Sequence, residues 1–232
     1  MTWTTAEIAS KIDHTLLKAE APPTQIDTLC AEAVEFRFAA VCVNPVYVAR
    51  AVQRLEVSRS GTLTQPFPVV AAVVGFPLGA NRTDIKADEA KRALDDGASE
   101  IDMVISLGAL IAGDAKGVRH DIETLSHVVH RAGNGLILKV IVETSALTNE
   151  QIILGCRCAM EGEADFVKTS TGFHPTGGAT IEHVKLLHKH GSPMLVKASG
   201  GIRTAQAAIA MLDAGAARLG TSSGPAILKE LL

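Results

Sequence analysis

Eight short apolar segments, each followed by a segment with helical periodicity, constrain the fold of this chain more than any other feature. Strands that alternate with helices along a whole chain predict a parallel sheet with crossover helices. Eight repeats in 232 residues fit a closed (β/α)8 or TIM barrel, near the lower end of its size range. An open doubly wound sheet is the alternative, but no GxGxxG motif follows the first strand, so a dinucleotide site has no support. We therefore expect an α/β barrel that forms a single domain over residues 1–232.

The predicted strands are separated by polar or glycine-containing loops. Six of them lie at Ile12–Leu17, Phe38–Val43, Val69–Phe76, Glu100–Ser106, Leu136–Thr144 and Arg218–Gly224. The sixth strand begins at Phe166 and ends at Lys168, and the seventh begins at Met194 and ends at Lys197. A short helix at Thr5–Ser10 precedes the first strand, with Thr4 or Thr5 as its cap. The other helices are predicted at Thr24–Phe36, Pro45–Leu55, Thr83–Asp96, Val118–Arg131, Asn149–Glu161, Ile181–His190, Thr204–Ala214 and Pro225–Leu232. Three of them are expected to end at a glycine: Gly97, Gly191 and Gly215.

Charge and cysteine content exclude several classes of function. The net charge of -3 and the pI near 6.2 provide no basic surface for nucleic acid or an anionic membrane. The longest apolar run is far too short to span a bilayer, and the polar N-terminus lacks the apolar core of a signal peptide. The four cysteines show neither paired CxxC spacing nor a disulfide framework. We expect a cytoplasmic protein with reduced thiols and with no nucleic-acid or membrane partner.

Two lysines occupy matching positions in two of the predicted strands. Lys168 follows the apolar start of FVKTSTG, and Lys197 lies at the corresponding place in MLVKASGG. Each is therefore predicted at the end of a buried strand, before a loop of small residues. A single lysine of this kind is better explained as a strand-end residue that reaches solvent, because surface lysines are common. The repeated context of the pair favours a chemical role instead.

A neighbouring cation can turn a lysine into a nucleophile. With an unperturbed pKa of about 10.4, roughly one lysine amine in 2,500 is neutral at pH 7. Two like charges about 6 Å apart at an effective dielectric of about 20 repel by roughly 3 kcal/mol, which lowers the pKa by about two. Partial desolvation acts in the same direction, and amines activated in this way form Schiff bases with carbonyl substrates.

Two further charged residues are predicted on neighbouring strands. Asp102, between Ile101 and Met103, would be a costly buried charge without a partner. Either a salt bridge that holds the barrel rim or proton transfer beside a lysine would explain it, and both interpretations stay open. Lys139 lies on the next strand, where strand parity can place it on the same face as Asp102. An ion pair is the favoured explanation for Lys139.

The loops after the last two strands predict a phosphate site. They contain Gly200, Gly201 and the segment Gly220–Ser223. In barrels of this kind these loops often bind phosphate through backbone amides and the start of a short helix. Hydroxyls of Ser222 and Ser223 add donors, and Arg203 can add charge. The histidines show no metal-ligand spacing and no HExxH motif, so we predict no metal.

Several motifs, in their order along the chain, resemble those of the deoxyribose-phosphate aldolase family. They are IDHTLL, VCVNP, EIDMV around Asp102, FVKTSTG around Lys168, VKASGGIR around Lys197 and GTSSG near the end. The resemblance extends over nearly the whole chain and is highly specific. It implies a class I aldolase on a (β/α)8 barrel, which needs no cofactor. Such an enzyme reversibly cleaves a small phosphorylated sugar, 2-deoxy-D-ribose 5-phosphate, into D-glyceraldehyde 3-phosphate and acetaldehyde.

The resemblance also implies roles for individual residues. Lys168 matches the Schiff-base lysine, Lys197 the second lysine that lowers its pKa, and Asp102 the acid/base that moves protons. Gly172, Gly200, Gly201, Arg203, Gly220, Ser222 and Ser223 match the phosphate-binding segments. Asp13, Thr15 and Lys139 resemble the supporting polar network, and Cys42 resembles a cysteine near the site that aldehyde products can modify.

Phe173 departs from the family pattern. Some members have a lysine after TSTG that approaches the phosphate, so we expect either weaker phosphate affinity here or a larger contribution from Arg203. Two alternatives stay open. The chain could be another Schiff-base barrel acting on a different phosphorylated aldehyde or ketone, or a noncatalytic barrel that binds a sugar phosphate. The family also implies a homo-oligomer, with a dimer favoured.

Overall fold

Eight parallel strands close into a barrel in the computed structural model, which describes residues 3–59 and 67–232. Each strand pairs with the next one in the chain, and the last strand pairs with the first. The strands are β1 (Ile12–Leu16), β2 (Ala40–Val43), β3 (Val69–Val74), β4 (Glu100–Val104), β5 (Ile137–Ile141), β6 (Phe166–Lys168), β7 (Leu195–Ser199) and β8 (Arg218–Thr221). The predicted (β/α)8 barrel is confirmed.

Helices follow every strand, as the sequence predicts. They are α1 (Thr5–Ala9), α2 (Pro23–Glu35), α3 (Val48–Arg59), α4 (Thr83–Asp95), α5 (Leu107–Ile111), α6 (Ala115–Ala132), α7 (Asn149–Glu161), α8 (Ile181–Gly191), α9 (Ala205–Asp213) and α10 (Gly224–Lys229). The prediction missed α5, because a helix of 5 residues is too short for a helical period to repeat. Most predicted strands ended too late, since the polar and glycine residues at their carboxyl ends leave the sheet and form loops.

Local signals set several helix ends. The Thr4 hydroxyl accepts a hydrogen bond from the Glu7 amide, and the Glu7 carboxylate accepts one from the Thr4 amide, which together cap α1. Gly97 and Gly215 follow α4 and α9 with φ values of 99° and 111°, so the predicted glycine ends are correct there. Gly191 was predicted to lie beyond its helix but is the last residue of α8.

The two faces of the strands carry different residues. Outward-facing positions form the apolar core beneath the helices: Ile12, Val41, Val70, Ile101, Leu138, Val167, Val196 and Leu219. Inside the barrel, β2 and β3 contribute small apolar residues: Ala40, Cys42, Ala71 and Val73. The other strands contribute charged residues that contact one another there: Asp13, Glu100, Asp102, Lys139, Lys168, Lys197 and Arg218. Because such barrels usually fill their interior with branched apolar side chains, the charged interior indicates a functional site.

Two further expectations concern membranes and cysteines. Within the described ranges, no helix combines the length and the apolar character needed to cross a bilayer. All four cysteines are free and buried, in agreement with the predicted absence of a disulfide framework.

Candidate active site

Lys168 and Lys197 meet at one carboxylate oxygen inside the barrel. Each lysine Nζ lies 2.7 Å from Asp102 Oδ2, and the register of the sheet places Lys168 directly beside Lys197. All three side chains are buried. Lys168 is the last residue of β6, as predicted. Lys197 lies in the middle of β7 and not at its end, because the strand continues through Ala198 to Ser199.

Lys139 and Glu100 extend this cluster towards the amino-terminal end of the barrel. Lys139 Nζ lies 2.7 Å from Asp102 Oδ1 and 2.5 Å from Glu100 Oε2, and its side chain is fully buried. The expected ion pair between Lys139 and Asp102 is therefore present. Glu100 was not predicted, although strand parity with Asp102 places both on the inward face of β4.

Asp13 and Arg218 complete the cluster where the barrel closes. Asp13, on β1, contacts Lys197 and Arg218, and its Oδ2 lies 3.8 Å from Lys139 Nζ. Arg218, the first residue of β8, also places Nη2 2.9 Å from Glu100 Oε2. The structure thus brings Asp13 and Lys139 beside the two lysines and Asp102. The sequence analysis did not predict Arg218 as a site residue. It lies two residues before Gly220 on β8, so strand parity places it on the same face as that predicted residue.

Burial and neighbouring charges shift the pKa values of the three lysines in different directions. Burial, followed by the nearby Lys197, lowers the pKa of Lys168, although Asp102 opposes the change. Burial also acts on Lys197 and Lys139, but the surrounding carboxylates outweigh it and raise the pKa of each. Burial disfavours the Asp102 anion, yet three lysines outweigh that cost and hold its pKa well below the usual range. Lys168 is therefore the amine in this cluster that loses its proton most readily.

A cavity of about 300 Å³ opens above Lys168 at the carboxyl end of the strands. Its lining includes six of the seven residues predicted to bind phosphate: Gly172, Gly200, Gly201, Arg203, Gly220 and Ser222. Thr15, predicted for the supporting network, also lines it. Ser223 is not among the lining residues, and its amide donates to Thr221 Oγ1 at 2.9 Å. Whether these residues bind phosphate stays a prediction.

The loops around the cavity need glycine at two positions. Gly172 and Gly200 have φ values of 81° and 90°, in the left-handed region that favours glycine. A Cβ atom on Gly200 would lie 2.9 Å from the Cα atom of Gly178. The close approach of the two loops leaves no room for a side chain at Gly200.

Lys18 lines the same cavity and was missed by the sequence reasoning. It follows β1, is exposed, and stands with Arg203 as a second cation of the lining. Within residues 3–59 and 67–232, neither cation makes a side-chain ion pair. Both are therefore free to bind an anion that enters the cavity.

Glu143 supports the loop that carries Gly172, and it too was missed. Its backbone adopts φ 62° and ψ 55°, a left-handed conformation that is uncommon for residues other than glycine. Its buried carboxylate accepts a hydrogen bond from the Thr171 hydroxyl at 2.5 Å. The Thr171 hydroxyl in turn accepts from the Phe173 amide at 3.0 Å. Strand parity with Lys139 was the signal that could have found Glu143.

Cys42 and Phe173 lie at different depths. Cys42 is fully buried in the small apolar cluster inside the barrel, and burial raises the pKa of its thiol. Phe173 lines the cavity, is 51% exposed and stacks edge-on against Phe76 with ring centroids 5.1 Å apart. The residue that follows the TSTG segment is therefore an uncharged aromatic ring at the cavity wall. Among the described residues, no group of three His, Cys, Asp or Glu side chains could hold a metal ion.

Comparisons with known proteins match this chain to a family of aldolases and to solved structures of the same fold. The model of the DeoC/LacD family aldolases matches residues 8–230. The chain is 50% identical over 224 residues to the deoxyribose-phosphate aldolase of Thermococcus gammatolerans, with 96% of each protein covered. It is 49% identical over 227 residues to the enzyme of that name from Carboxydothermus hydrogenoformans, covering 97% of this chain and 96% of the relative. A solved tetrameric deoxyribose phosphate aldolase from Aeropyrum pernix superposes with a TM-score of 0.86 at 31% identity, covering 97% of this chain and 91% of that one.

Proposed function

We propose the reaction from one premise: the chain belongs to the DeoC/LacD family of aldolases, which are carbon–carbon lyases. We propose that it reversibly cleaves 2-deoxy-D-ribose 5-phosphate into D-glyceraldehyde 3-phosphate and acetaldehyde through a Schiff base on Lys168. The names of the curated relatives support this substrate, because identity is close to one half over almost the whole chain.

The shared contact of Lys168 and Lys197 with Asp102 is the observation that carries the proposal. Because its pKa is lowered, the buried Lys168 amine is neutral, and so nucleophilic, at lower pH than an ordinary lysine. Its position at the floor of the cavity lets it reach a carbonyl carbon that enters from above. Burial of the amine also limits competing hydrolysis of the imine by bulk water.

The first half of the reaction forms the Schiff base. The Lys168 amine attacks C1 of the open-chain sugar, and loss of water from the carbinolamine gives a protonated imine, the iminium. Lys197 is the proton donor closest to the departing hydroxyl in this proposal, because it shares an oxygen of Asp102 with Lys168. The ionised Asp102 stabilises the positive iminium.

The second half breaks the carbon–carbon bond. Removal of the C3 hydroxyl proton lets the electrons of the C2–C3 bond move into the iminium, which leaves an enamine on Lys168. The released fragment is D-glyceraldehyde 3-phosphate. Asp102 carries the proton in this step, and return of a proton to C2 followed by hydrolysis releases acetaldehyde and the free lysine. The iminium acts as the electron sink throughout.

The phosphate group positions the sugar over Lys168. The glycine-rich loops after β6, β7 and β8 offer backbone amides, and Ser222 adds a hydroxyl. Arg203 and the unpredicted Lys18 supply positive charge at the cavity wall. Binding the phosphate at a fixed distance from the amine converts the attack on C1 into an intramolecular step.

Borohydride trapping tests the covalent step. The protein is incubated with acetaldehyde and borohydride, and the reduced adduct is located by peptide mass mapping. We expect one ethyl adduct on Lys168 and neither adduct nor cleavage activity in Lys168→Ala. Lys185→Ala, which removes an exposed lysine from α8, is the matched control and should trap like the unaltered protein.

The two alternatives give different results in the same set of measurements. A panel of deoxyribose 5-phosphate and fructose phosphates separates the proposed substrate from that of another Schiff-base barrel. Tight sugar-phosphate binding without turnover or adduct would indicate a noncatalytic barrel. An adduct on another lysine, with cleavage retained in Lys168→Ala, would overturn the assignment of Lys168.

We also propose that this aldolase works in the cytoplasm as a single domain and as a homo-oligomer, with a dimer favoured. Four free, buried thiols support a reducing compartment. The Aeropyrum pernix relative is a tetramer, so light scattering coupled to size exclusion decides between the two assemblies.

A further inference from the structure

The ion network inside the barrel contains unequal numbers of positive and negative groups. Among the residues that the structure describes, its members are four cations, Lys139, Lys168, Lys197 and Arg218, and three carboxylates, Asp13, Glu100 and Asp102. With every member ionised, one positive charge is in excess. Arg218 is 15% exposed and the other side chains at most 4%, so bulk water screens the excess poorly.

The pattern of contacts shows which cation bears the excess. Lys168 contacts one carboxylate of the network and shares the contacted oxygen with Lys197. Lys139 contacts three carboxylates, and Lys197 and Arg218 contact two each. The buried cation with the fewest anionic partners holds its proton least strongly. In agreement, Lys168 is the member of the four whose pKa lies below its ordinary value.

We infer that Arg218 and Glu100 are positioning residues that set, through the other members of the ion network, whether the Lys168 amine is protonated. The register of the sheet places Lys168 beside Lys197, and Lys197 beside Arg218. Arg218 supplies the cation that leaves the network one charge in excess, and Glu100 limits that excess. The inference rests on the proposed Schiff-base role of Lys168.

The contacts provide a physical route for this effect. Arg218 binds Asp13, the carboxylate that also contacts Lys197, and so weakens the negative potential at Lys197. Lys197 and Lys168 are neighbours on Asp102 Oδ2. Glu100 acts in the opposite sense, because it neutralises Lys139 on the other oxygen of Asp102.

Other titratable groups around Lys168 stand outside this balance. The Cys42 thiol on β2 is neutral at ordinary pH because burial raises its pKa. The Glu143 carboxylate accepts hydrogen bonds from the amide and hydroxyl of Thr171, in the loop that follows β6. Lys18 and Arg203 line the outer cavity and are exposed to solvent, which screens their charges.

The variants Arg218→Gln and Glu100→Gln, which neutralise two residues in contact, test the inference. The test is the direction in which each one moves the pH profile of trapping on Lys168. The measurement is the pH dependence of the trapping of acetaldehyde on Lys168 with cyanoborohydride, quantified by peptide mass. Arg218→Gln removes a cation, so Lys168 should keep its proton to higher pH and the profile should move to higher pH. Glu100→Gln removes an anion and should move it to lower pH. Each shift should be about one pH unit, as for a unit charge about 10 Å away at an effective dielectric of about 20.

Charge-conserving and double variants separate this effect from a loss of packing. Arg218→Lys should restore the unaltered profile, and Arg218→Gln combined with Glu100→Gln should return close to it. Circular dichroism shows whether Arg218→Gln folds. If it does not, the inference is tested by Glu100→Gln alone, whose trapping profile should move to lower pH. Shifts of both single variants in one direction, or folded variants with unchanged profiles, would overturn the inference. Absence of trapping in the unaltered protein would instead contradict the proposed function.

Discussion

Lys86 and Lys168 are both buried lysines paired with an aspartate, but one lies between the barrel and its helices and the other inside the barrel. Lys86 Nζ lies 2.6 Å from Asp121 Oδ2 and donates to the carbonyl oxygen of Val104 at 3.0 Å. Among the described residues, this pair joins one cation to one anion. Lys168 instead shares Asp102 with two other lysines. Exposure does not distinguish them, since Lys86 is 0% and Lys168 3% exposed.

The difference teaches that charge balance, and not burial, separates a structural lysine from a reactive one here. In a balanced pair each buried charge has a partner, so loss of the lysine would leave an unpaired buried carboxylate. An unbalanced cluster favours loss of one proton, which leaves a neutral amine inside a low-dielectric site. The comparison therefore predicts opposite consequences when the two lysines are changed in the same way.

Replacement of Lys168 by methionine should have the largest effect, and on catalysis alone. Cleavage of deoxyribose 5-phosphate should fall by at least about 10⁴-fold, because no nucleophile remains for the covalent step. The free energy of unfolding should not fall, since methionine removes the excess charge and keeps similar volume. Steady-state kinetics and urea unfolding measure both quantities. A clear loss of stability in Lys168→Met would contradict the claim that Lys168 carries an excess charge that does not stabilise the fold.

Replacement of Lys86 by methionine should have the next largest effect, and on stability alone. The change leaves Asp121 as an unpaired buried charge, which costs about 3 to 5 kcal/mol of unfolding free energy. The double variant Lys86→Met/Asp121→Leu should recover most of that loss, because both charges are then absent. Urea unfolding at neutral pH gives the values, and the kcat of the folded fraction serves as the control. Equal instability of the single and double variants would show that packing, and not charge, is responsible.

The unaltered protein and Lys168→Met should also differ in how their stability depends on pH. We expect this effect to be smaller than the loss of stability in Lys86→Met. Burial lowers the pKa of Lys168 in the folded state, whereas the unfolded chain keeps the ordinary value of 10.5. Between these two values the unfolded chain binds more protons, so stability of the unaltered protein rises with pH relative to the variant. The gain levels off once the unfolded lysine also loses its proton. Urea unfolding between about pH 6 and about pH 10 measures the difference, and parallel curves would contradict the lowered pKa.

A lysine in place of Phe173 should have the smallest effect, because the added charge is exposed. The position lines the cavity but is 51% exposed, so an ion pair with the substrate phosphate would contribute roughly 0.2 to 1 kcal/mol. The KM for deoxyribose 5-phosphate should fall by a factor of about 1.4 to 5, with kcat unchanged. Phe173→Met is the uncharged control. A change in kcat as large as that of Lys168→Met would mean that exposed charges also control the chemistry.

The order of the elements could be predicted because it depends on local signals. Hydrophobic periodicity and cap residues act within a few positions of the chain. The bounds predicted for α7, Asn149–Glu161, agree with the structure, and its Thr148 cap lies immediately before it. The strand ends were less accurate, because a strand ends where its hydrogen-bonded neighbour ends, and that neighbour is set by tertiary structure.

The wider ion network could not be predicted in the same way. Arg218 meets Asp13 across 205 positions of sequence, because β8 pairs with β1 when the barrel closes. Glu100 joins Lys139 because the two strands pair with a fixed register. Strand parity shows which face a residue occupies, but not which residues lie at the same height inside a closed barrel.

By itself, the sequence determined the alternation of eight strands and helices, the two lysine-bearing strands and the glycine-rich loops that follow them. Those features depend on residue spacing, which local backbone geometry translates directly into structure. Tertiary structure alone decided that four cations and three carboxylates share one interior, and that Lys168 has the fewest anionic partners. Electrostatic interactions depend on distance and burial in space, so the protonation of that amine is a property of the closed barrel.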